Sequence, residues 1–197
     1  MDLTLIPART ALVVIDLQRG IVAAPTAPHP ASDVVAHAAA LAVALRAADG
    51  TVVLVHVTPS ADGRDALHPQ TDTQARGSGS LPADWAEIIP ALGPAPGDIV
   101  ITKRQWGAFY GTELDLQLRR RGVDTILLVG ISTNVGVEST ARDAYERGYE
   151  QVFVEDAMAA RSPEEHANTV RTLFPRIGRV RSTAEVLAAI DVATRQA

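Results

Sequence analysis

Cysteine does not occur in the 197-residue sequence, and aromatic residues make up only 4% of it. The absence of thiols excludes disulfides, thiolate metal sites and cysteine nucleophiles. With so few aromatic side chains, the hydrophobic core must be built mainly from Val, Leu, Ile and Ala. Hydrophobic residues make up 47% of the chain and charged residues 21%, which is the ordinary balance of a globular protein.

Two further absences bear on location and partners. No apolar run reaches the roughly 18 residues that cross a bilayer. Residues 1–7 lack both the basic region and the long apolar region of a signal peptide. We therefore expect a cytoplasmic protein without a membrane partner. The net charge of −5 argues against nucleic acid as the main partner, because binding to a phosphate backbone requires clustered Lys and Arg.

Short apolar runs rich in β-branched residues alternate with helical patterns along the chain. Such runs are typical of strands that are buried on both faces of a parallel sheet. Strands are predicted at 11–16, 51–57, 98–102, 125–130, 151–155 and 179–181, and helices at 32–48, 112–121, 133–147, 162–174 and 183–193. This alternation requires crossover connections that cover both faces of the sheet. The predicted fold is one Rossmann-like α/β domain over residues 1–197, with α/β/α layers and a mostly parallel, six-stranded sheet.

Residues 58–97 interrupt this alternation. The segment is rich in Pro, Gly, Ser and Asp. A loop of this length inside a compact domain is usually functional or mobile. We expect Trp85 to hold a short helical turn at 84–89.

Polar residues follow three of the predicted strands. Asp16 ends the first strand, Lys103 follows the third, and residues 130–136 (Gly-Ile-Ser-Thr-Asn-Val-Gly) follow the fourth. Because ligands of open α/β sheets bind at the carboxyl ends of the strands, these groups are expected to meet. An acid at the end of an apolar strand is costly unless it is paired, and a lysine partner would set its proton affinity. From position alone, Asp16 could equally cap a helix or turn, and Lys103 could equally be a solvated side chain.

These segments resemble the signatures of the isochorismatase-like, or cysteine hydrolase, superfamily. The resemblance is carried by Asp16-Leu17-Gln18, by Lys103-Arg104 and, most specifically, by residues 130–144, and it runs from about residue 10 to the C-terminus. Members of the superfamily include nicotinamidases, N-carbamoyl amidohydrolases, ureidoacrylate-type amidohydrolases and isochorismatases. The resemblance implies the strand order 3-2-1-4-5-6 and a catalytic triad of Asp, Lys and Cys.

The resemblance also implies roles for individual residues. Asp16 matches the general acid/base, Lys103 matches the lysine, and Gly136 stands at the position of the nucleophilic cysteine. A cis peptide is implied between Ile131 and Ser132. The backbone N–H groups of Ser132 and Gly136 would then form an oxyanion hole.

Other residues of the same segments are candidates for the pocket. Trp106, Phe109 and Tyr110 resemble the aromatic residues that line it in this family, although packing or a subunit contact would explain them equally well. Gln18 and Asn134 are predicted to contact the substrate. Asn134 could instead serve the first turn of the following helix.

Glycine at position 136 separates this chain from the thiol hydrolases, because glycine cannot form their thioester intermediate. The glycine could be natural, as in isochorismatases, where an acid protonates an enol ether carbon and water adds to the oxocarbenium ion. It could instead be an engineered replacement for the cysteine of a C–N amidohydrolase, or mark a non-catalytic binder of small molecules. We favour a natural glycine, since residues 104–112 resemble a branch of the superfamily that carries it. The predicted function is therefore hydrolysis of a small metabolite by Asp16 and Lys103.

The histidines of the chain are scattered, and the Asp-x-His pair of metal-binding nicotinamidases does not occur. They are His29, His37, His56, His68 and His166. We therefore predict neither a metal nor another cofactor, and we expect His56 to be a hydrogen-bonded core residue. Helix faces rich in Ala and Leu indicate a homo-oligomer, as in most relatives.

Overall fold

Six parallel strands form one sheet in the order β3-β2-β1-β4-β5-β6. The computed structural model describes residues 3–72 and 81–196. The strands are β1 (Thr10–Ile15), β2 (Thr51–Val57), β3 (Ile99–Lys103), β4 (Thr125–Ile131), β5 (Glu150–Ala159) and β6 (Arg179–Arg181). The predicted α/β class and the strand order are both confirmed.

Helices cover both faces of the sheet. They are α1 (Arg19–Val22), α2 (Ala31–Ala47), α3 (Leu114–Arg120), α4 (Glu138–Glu146), α5 (Pro163–Thr172), α6 (Phe174–Ile177) and α7 (Thr183–Gln196). One apolar core lies between the sheet and helices α2 and α7, and the other lies between the sheet and helices α3, α4 and α6. Strand β1 is buried along its whole length because its alternate side chains enter these two cores.

Two of the predicted helices differ in the structure. The helix predicted at 133–147 begins as a π-helical turn over Thr133–Val137 and becomes α-helical only at Glu138. The helix predicted at 162–174 is divided into α5 and α6. Pro175 explains the division, since proline lacks the N–H group that would continue the helical ladder.

The segment between β2 and β3 is tied to the chain that follows β1. The N–H groups of Arg19 and Gly20 donate to the carbonyls of Glu87 and Trp85 at 2.8 and 2.9 Å. The Trp85 ring packs directly on Gly20, where a Cβ atom would lie 1.9 Å from the Cδ1 atom of the indole. A turn at 83–86 takes the place of the longer turn predicted at 84–89. Residues 73–80 of the predicted loop lie outside the described residues.

No helix in the described part of the chain is long and apolar enough to span a membrane.

Candidate active site

Strands β1 and β4 end side by side, with Ile15 paired to Gly130. Gly130 has a φ of 124°, and a Cβ atom there would lie 2.1 Å from the carbonyl oxygen of Ile15. Only glycine permits this approach. The end of β1 therefore lies directly against the turn that follows β4, as the sequence indicates.

Asp16 leaves β1 in a left-handed backbone conformation, with a φ of 53°, which is uncommon for a residue other than glycine. Its carboxylate is buried, and its Oδ2 atom accepts a hydrogen bond from Nζ of Lys103 at 2.8 Å. The Oδ1 atom is also buried, but it has no hydrogen-bond partner among the described residues. One oxygen is thus fixed and the other is available to a bound molecule.

Burial raises the pKa of Asp16 to about 6, although the charge of Lys103 and its hydrogen bond oppose the rise. Desolvation dominates because the carboxylate is removed from water, while the ammonium group of Lys103 also donates to two backbone carbonyls. About half of Asp16 therefore carries a proton at pH 6 and roughly a tenth at pH 7. This proton affinity suits a general acid.

Lys103 is one of the most deeply buried large side chains, with only 2% of the residue exposed. Its ammonium group donates to Oδ2 of Asp16 and to the backbone carbonyls of Gln105 and Trp106, at 2.8, 3.1 and 2.8 Å. An ammonium group has three protons to donate. All three are used, so Lys103 acts as a fixed cation and has none left for a ligand.

His56 lies in β2 and has a hydrogen-bond partner at each ring nitrogen, as predicted, but it is only half-buried, so the predicted core position is wrong. Its Nδ1 atom donates to the carbonyl of Ala86 at 2.8 Å, and its Nε2 atom lies 2.7 Å from the hydroxyl of Thr102. His56 also lowers the pKa of Asp16 slightly through its charge, after the larger effects of burial and Lys103.

A cavity of about 370 Å³ opens in front of the Asp16–Lys103 pair. Its walls come from the ends of β1 to β4, from the π-helical turn after β4, from α1 and from Arg161, two residues before α5. The lining residues are Asp16, Ile21, Val57, Lys103, Gln105, Trp106, Ile131, Ser132, Val135, Gly136 and Arg161. Five of the predicted site residues thus share one cavity: Asp16, Lys103, Trp106, Ser132 and Gly136.

The turn at the base of the cavity contains the cis peptide between Ile131 and Ser132, as predicted. Gly136 lies in the π-helical turn that follows. A Cβ atom on Gly136 would lie 2.9 Å from Cγ2 of Ile15 and 3.2 Å from Oδ2 of Asp16. The site is therefore packed around a glycine at this position.

Gln18 and Phe109 do not line the cavity. Gln18 is fully buried, and its amide accepts from the N–H group of Val57 and donates to the carbonyls of Val57 and Trp85. Phe109 is buried against Tyr149, with the ring centroids 5.8 Å apart. Both residues therefore have a structural role in place of the predicted substrate contact. The amide of Gln18 is used by backbone groups, and the ring of Phe109 is packed among core side chains.

Tyr110 and Asn134 are also absent from the cavity wall. Tyr110 is 76% exposed, which suits the alternative of a surface contact. Asn134 lies in the π-helical turn, and its Oδ1 atom is buried without a hydrogen-bond partner in the described part of the chain. The structure gives neither residue a contact with the cavity.

Arg161 lines the cavity but was not predicted from the sequence as a site residue. It precedes Ser162, the N-cap residue of α5, and the first turn of that helix is closed by a capping box between Ser162 and Glu165. Its backbone N–H donates to the Glu165 carboxylate, and its guanidinium donates to the carbonyl of Pro25 at 3.2 Å. The cap was visible in the sequence as Ser-Pro-Glu-Glu, but nothing there indicated that the preceding arginine would face the cavity.

A second polar cluster lies outside this cavity. His29, Glu155 and His166 each offer one nitrogen or oxygen atom, and these atoms lie within 4.8 Å of one another. Burial lowers the pKa of His166, while the nearby Glu155 opposes that shift. No motif in the sequence indicated this cluster, since the three residues come from distant segments.

Comparison with known proteins relates the whole arrangement to one family. Residues 10–185 match the model of the isochorismatase domain. The chain is 55% identical over 180 residues to the uncharacterised isochorismatase family protein YwoC of Bacillus subtilis, covering 91% of this chain and 93% of that protein. An isochorismatase family protein of Burkholderia thailandensis has a similar structure, with a TM-score of 0.91 at 48% identity, over 95% of this chain and 98% of the other. Ureidoacrylate amidohydrolase RutB of Methylobacterium radiotolerans is 40% identical over 129 residues, which is 65% of this chain and 49% of that protein.

Proposed function

The chain belongs to the isochorismatase family of hydrolases, and we propose that it hydrolyses a small metabolite by acid–base chemistry without a covalent intermediate. The observation that carries this proposal is the state of Asp16. Its Oδ2 atom is held by Lys103 and lies beside Gly136, which has no side chain, while its Oδ1 atom has no partner among the described residues.

The cavity offers no activated nucleophile among the described residues. Lys103 already donates three hydrogen bonds, and Gly136 has no side chain. Ser132 supplies the only hydroxyl group of the described lining, and that hydroxyl makes no hydrogen bond to a base in the described part of the chain. Attack by water after protonation of the substrate therefore fits the site better than an acyl-enzyme.

A vinyl ether is the substrate class that uses these groups most directly. The Oδ1–H group of Asp16 would give its proton to the terminal alkene carbon, leaving a carboxylate that Lys103 stabilises. Water would add to the oxocarbenium ion and lose a proton to Asp16. The resulting hemiketal would then split its C–O bond, with its hydroxyl proton passing to the leaving oxygen. The products are an alcohol and a ketone.

A small-molecule binder without turnover is the alternative that the same cavity permits. Amide hydrolysis is a weaker candidate, although RutB, a partial relative, is named as an amidohydrolase. A thioester route needs a thiol, and the chain has none. The cytoplasmic location and the homo-oligomer stay predictions from the sequence.

The test is a substrate panel that sets isochorismate and simpler vinyl ethers against carboxamides and carbamoyl compounds. We expect turnover of a vinyl ether by the native protein and a loss of at least about 100-fold in Asp16→Asn. Asp98→Asn is the matched control. Asp98 is also a buried carboxylate paired with a cation, Arg46, at 2.7 Å, but it does not line the cavity. Turnover that survives in Asp16→Asn would contradict the acid role, and native protein inert toward the whole panel would favour the binder.

A further inference from the structure

We propose that His29, Glu155 and His166 bind a divalent transition metal, with zinc as the best fit, at a site separate from the Asp16 cavity. His29 lies between α1 and α2, Glu155 lies in β5 and His166 lies in α5. None of the three lines the cavity. The proposed metal would therefore join three segments that are distant in the sequence.

The donor atoms have the chemistry and the spacing of a zinc site. Two imidazole nitrogens and one carboxylate oxygen form a common zinc ligand set, which leaves a fourth position for water. Ligands about 2.0–2.2 Å from a tetrahedral zinc lie roughly 3.3–3.6 Å from one another. Here the Nε2 atoms of His29 and His166 each lie 3.6 Å from Oε2 of Glu155. The largest separation within the cluster is no more than 4.8 Å, so modest side-chain rotations would close the site.

His29 provides the second observation that points to a ligand. Its Nε2 atom is buried and has no hydrogen-bond partner among the described residues. A buried nitrogen without a partner costs roughly 1–3 kcal/mol. The Oε2 atom of Glu155 lies 3.6 Å away, which is slightly too far for a hydrogen bond. A metal ion between the two groups would satisfy both of them.

His166 is oriented for the same role by its other ring nitrogen. Its Nδ1 atom lies 2.9 Å from the hydroxyl of Thr133 within the protein interior. Metal-binding histidines commonly use the second nitrogen for such a bond, which fixes the ring and its tautomer. Nε2 of His166 is then left facing Glu155 and His29.

Glu155 has no Lys or Arg partner among the described residues. In the described part of the chain, the two histidines are the only basic side chains within 4.0 Å of its carboxylate. The carboxylate thus faces two imidazole nitrogens and no described Lys or Arg. A divalent ion bound between these groups would supply the positive charge that the carboxylate lacks. This arrangement distinguishes the cluster from the ordinary ion pairs of the surface.

The backbone around His29 is already placed to hold such an ion. Ala27 and Ala160 exchange two backbone hydrogen bonds, at 3.0 and 2.8 Å, and the hydroxyl of Thr26 donates to the carbonyl of His29. A bound metal would reinforce this contact and clamp the segment before α2 onto β5 and α5. Its main effect would be on stability.

The experiment titrates zinc chloride into chelator-treated full-length protein by calorimetry, with cobalt absorption to report the geometry. We expect one equivalent of zinc to bind, four-coordinate cobalt bands, and a rise in melting temperature on metal addition. His29→Ala and Glu155→Gln should each weaken binding by at least about tenfold, since even loss of an outer-shell partner costs that much.

Two control variants test whether zinc binds at these three residues and nowhere else. His37→Ala removes a half-buried histidine that bonds to the carbonyl of Asp156, and it should bind zinc like the native protein. Asp16→Asn should also bind normally, because the two sites are separate. Native protein that takes up no zinc, or His29→Ala that binds it unchanged, would overturn the proposal. Circular dichroism of His29→Ala checks its fold, which should persist because His29 lies in a partly exposed loop.

Discussion

The carboxylate of Asp16 occupies the space beside Gly136 that a side chain at position 136 would need. A Cβ atom there would lie 3.2 Å from Oδ2 of Asp16, and 2.9 Å from the branched side chain of Ile15. Contacts this short require a neighbour to move. The glycine and the position of the acid are therefore linked.

Gly136→Ala is expected to displace Asp16 and to lower turnover by tenfold or more, with an overpacking cost of about 1–3 kcal/mol in the free energy of unfolding. Gly107→Ala is the control, because a Cβ atom on Gly107 meets its nearest neighbours at 3.6 Å. Steady-state kinetics and urea unfolding measure both effects. Full activity in Gly136→Ala would show that the acid does not depend on this space. The same crowding leads us to expect no amidase activity from Gly136→Cys.

The pH dependence of turnover should report the proton on Asp16. Since the pKa of this group is raised to about 6 and the reactive form is protonated, kcat/KM should fall as the pH rises through about 6. Well above that value the decrease should be about tenfold per pH unit. Initial rates from pH 4.5 to 8.5 measure the profile. A profile that rises through pH 6 would instead make Asp16 a base.

Lys103→Met should shift that profile to higher pH. The charge of Lys103 lowers the pKa of Asp16, so its removal raises the pKa further. Breaking a buried pair costs about 3–5 kcal/mol, and the cost should be smaller at pH 5, where Asp16 is largely neutral, than at pH 8. Arg46→Met, which breaks the Arg46–Asp98 pair, is the control for general destabilisation. It should leave the midpoint of the activity profile unchanged, whereas an unshifted midpoint in Lys103→Met would argue against coupling.

Gln18→Leu tests whether Gln18 has the structural role that its hydrogen bonds indicate or the substrate contact that was predicted from the sequence. The variant loses hydrogen bonds to the N–H and carbonyl groups of Val57 and to the carbonyl of Trp85. Each buried group left unpaired costs roughly 1–3 kcal/mol, so the free energy of unfolding should fall by at least about 2 kcal/mol. Gln117→Leu removes only solvent-exposed hydrogen bonds, to Glu113 and Arg121, and should change it by less than about 0.5 kcal/mol. A loss of turnover without a loss of stability would restore the substrate contact.

Arg161 is the residue from which we expect selectivity for carboxylated substrates. Apart from the saturated Lys103, it is the only cationic residue among the described residues that line the cavity. A hydrogen bond to a charged group contributes about 1.5–3 kcal/mol, so Arg161→Gln should raise KM roughly 10- to 100-fold for a carboxylated substrate. Its uncharged analogue should change little. The exposed Arg171 gives the control variant Arg171→Gln. Equal effects on both substrates would contradict a carboxylate contact.

The sequence predicts the framework and the central pair well, for a physical reason. A parallel sheet brings the carboxyl ends of its strands to one edge, so Asp16 and Lys103 were expected on the same edge, and the family resemblance, which supplied the strand order, made them a pair. The turn after β4 was predictable for the same reason. Strand boundaries agree to within a few residues, except that β5 extends to Ala159.

The remaining differences concern side-chain direction, which spacing alone does not determine. Phe109 and Tyr110 are adjacent, yet one is buried in the core and the other is exposed. Arg161 could not be assigned to the cavity because its orientation depends on the cap of α5. The cluster of His29, Glu155 and His166 matches no local metal-binding motif, because it forms only through tertiary packing.

The left-handed backbone at Asp16 restricts what evolution can place there. Most L-amino acids would lose about 1–2 kcal/mol in this conformation, whereas Asn and Gly tolerate it. A descendant that abandons catalysis but keeps the fold is therefore expected to carry Asn or Gly at position 16. The residue at position 16 in related sequences would therefore distinguish catalytic members of the lineage from non-catalytic ones.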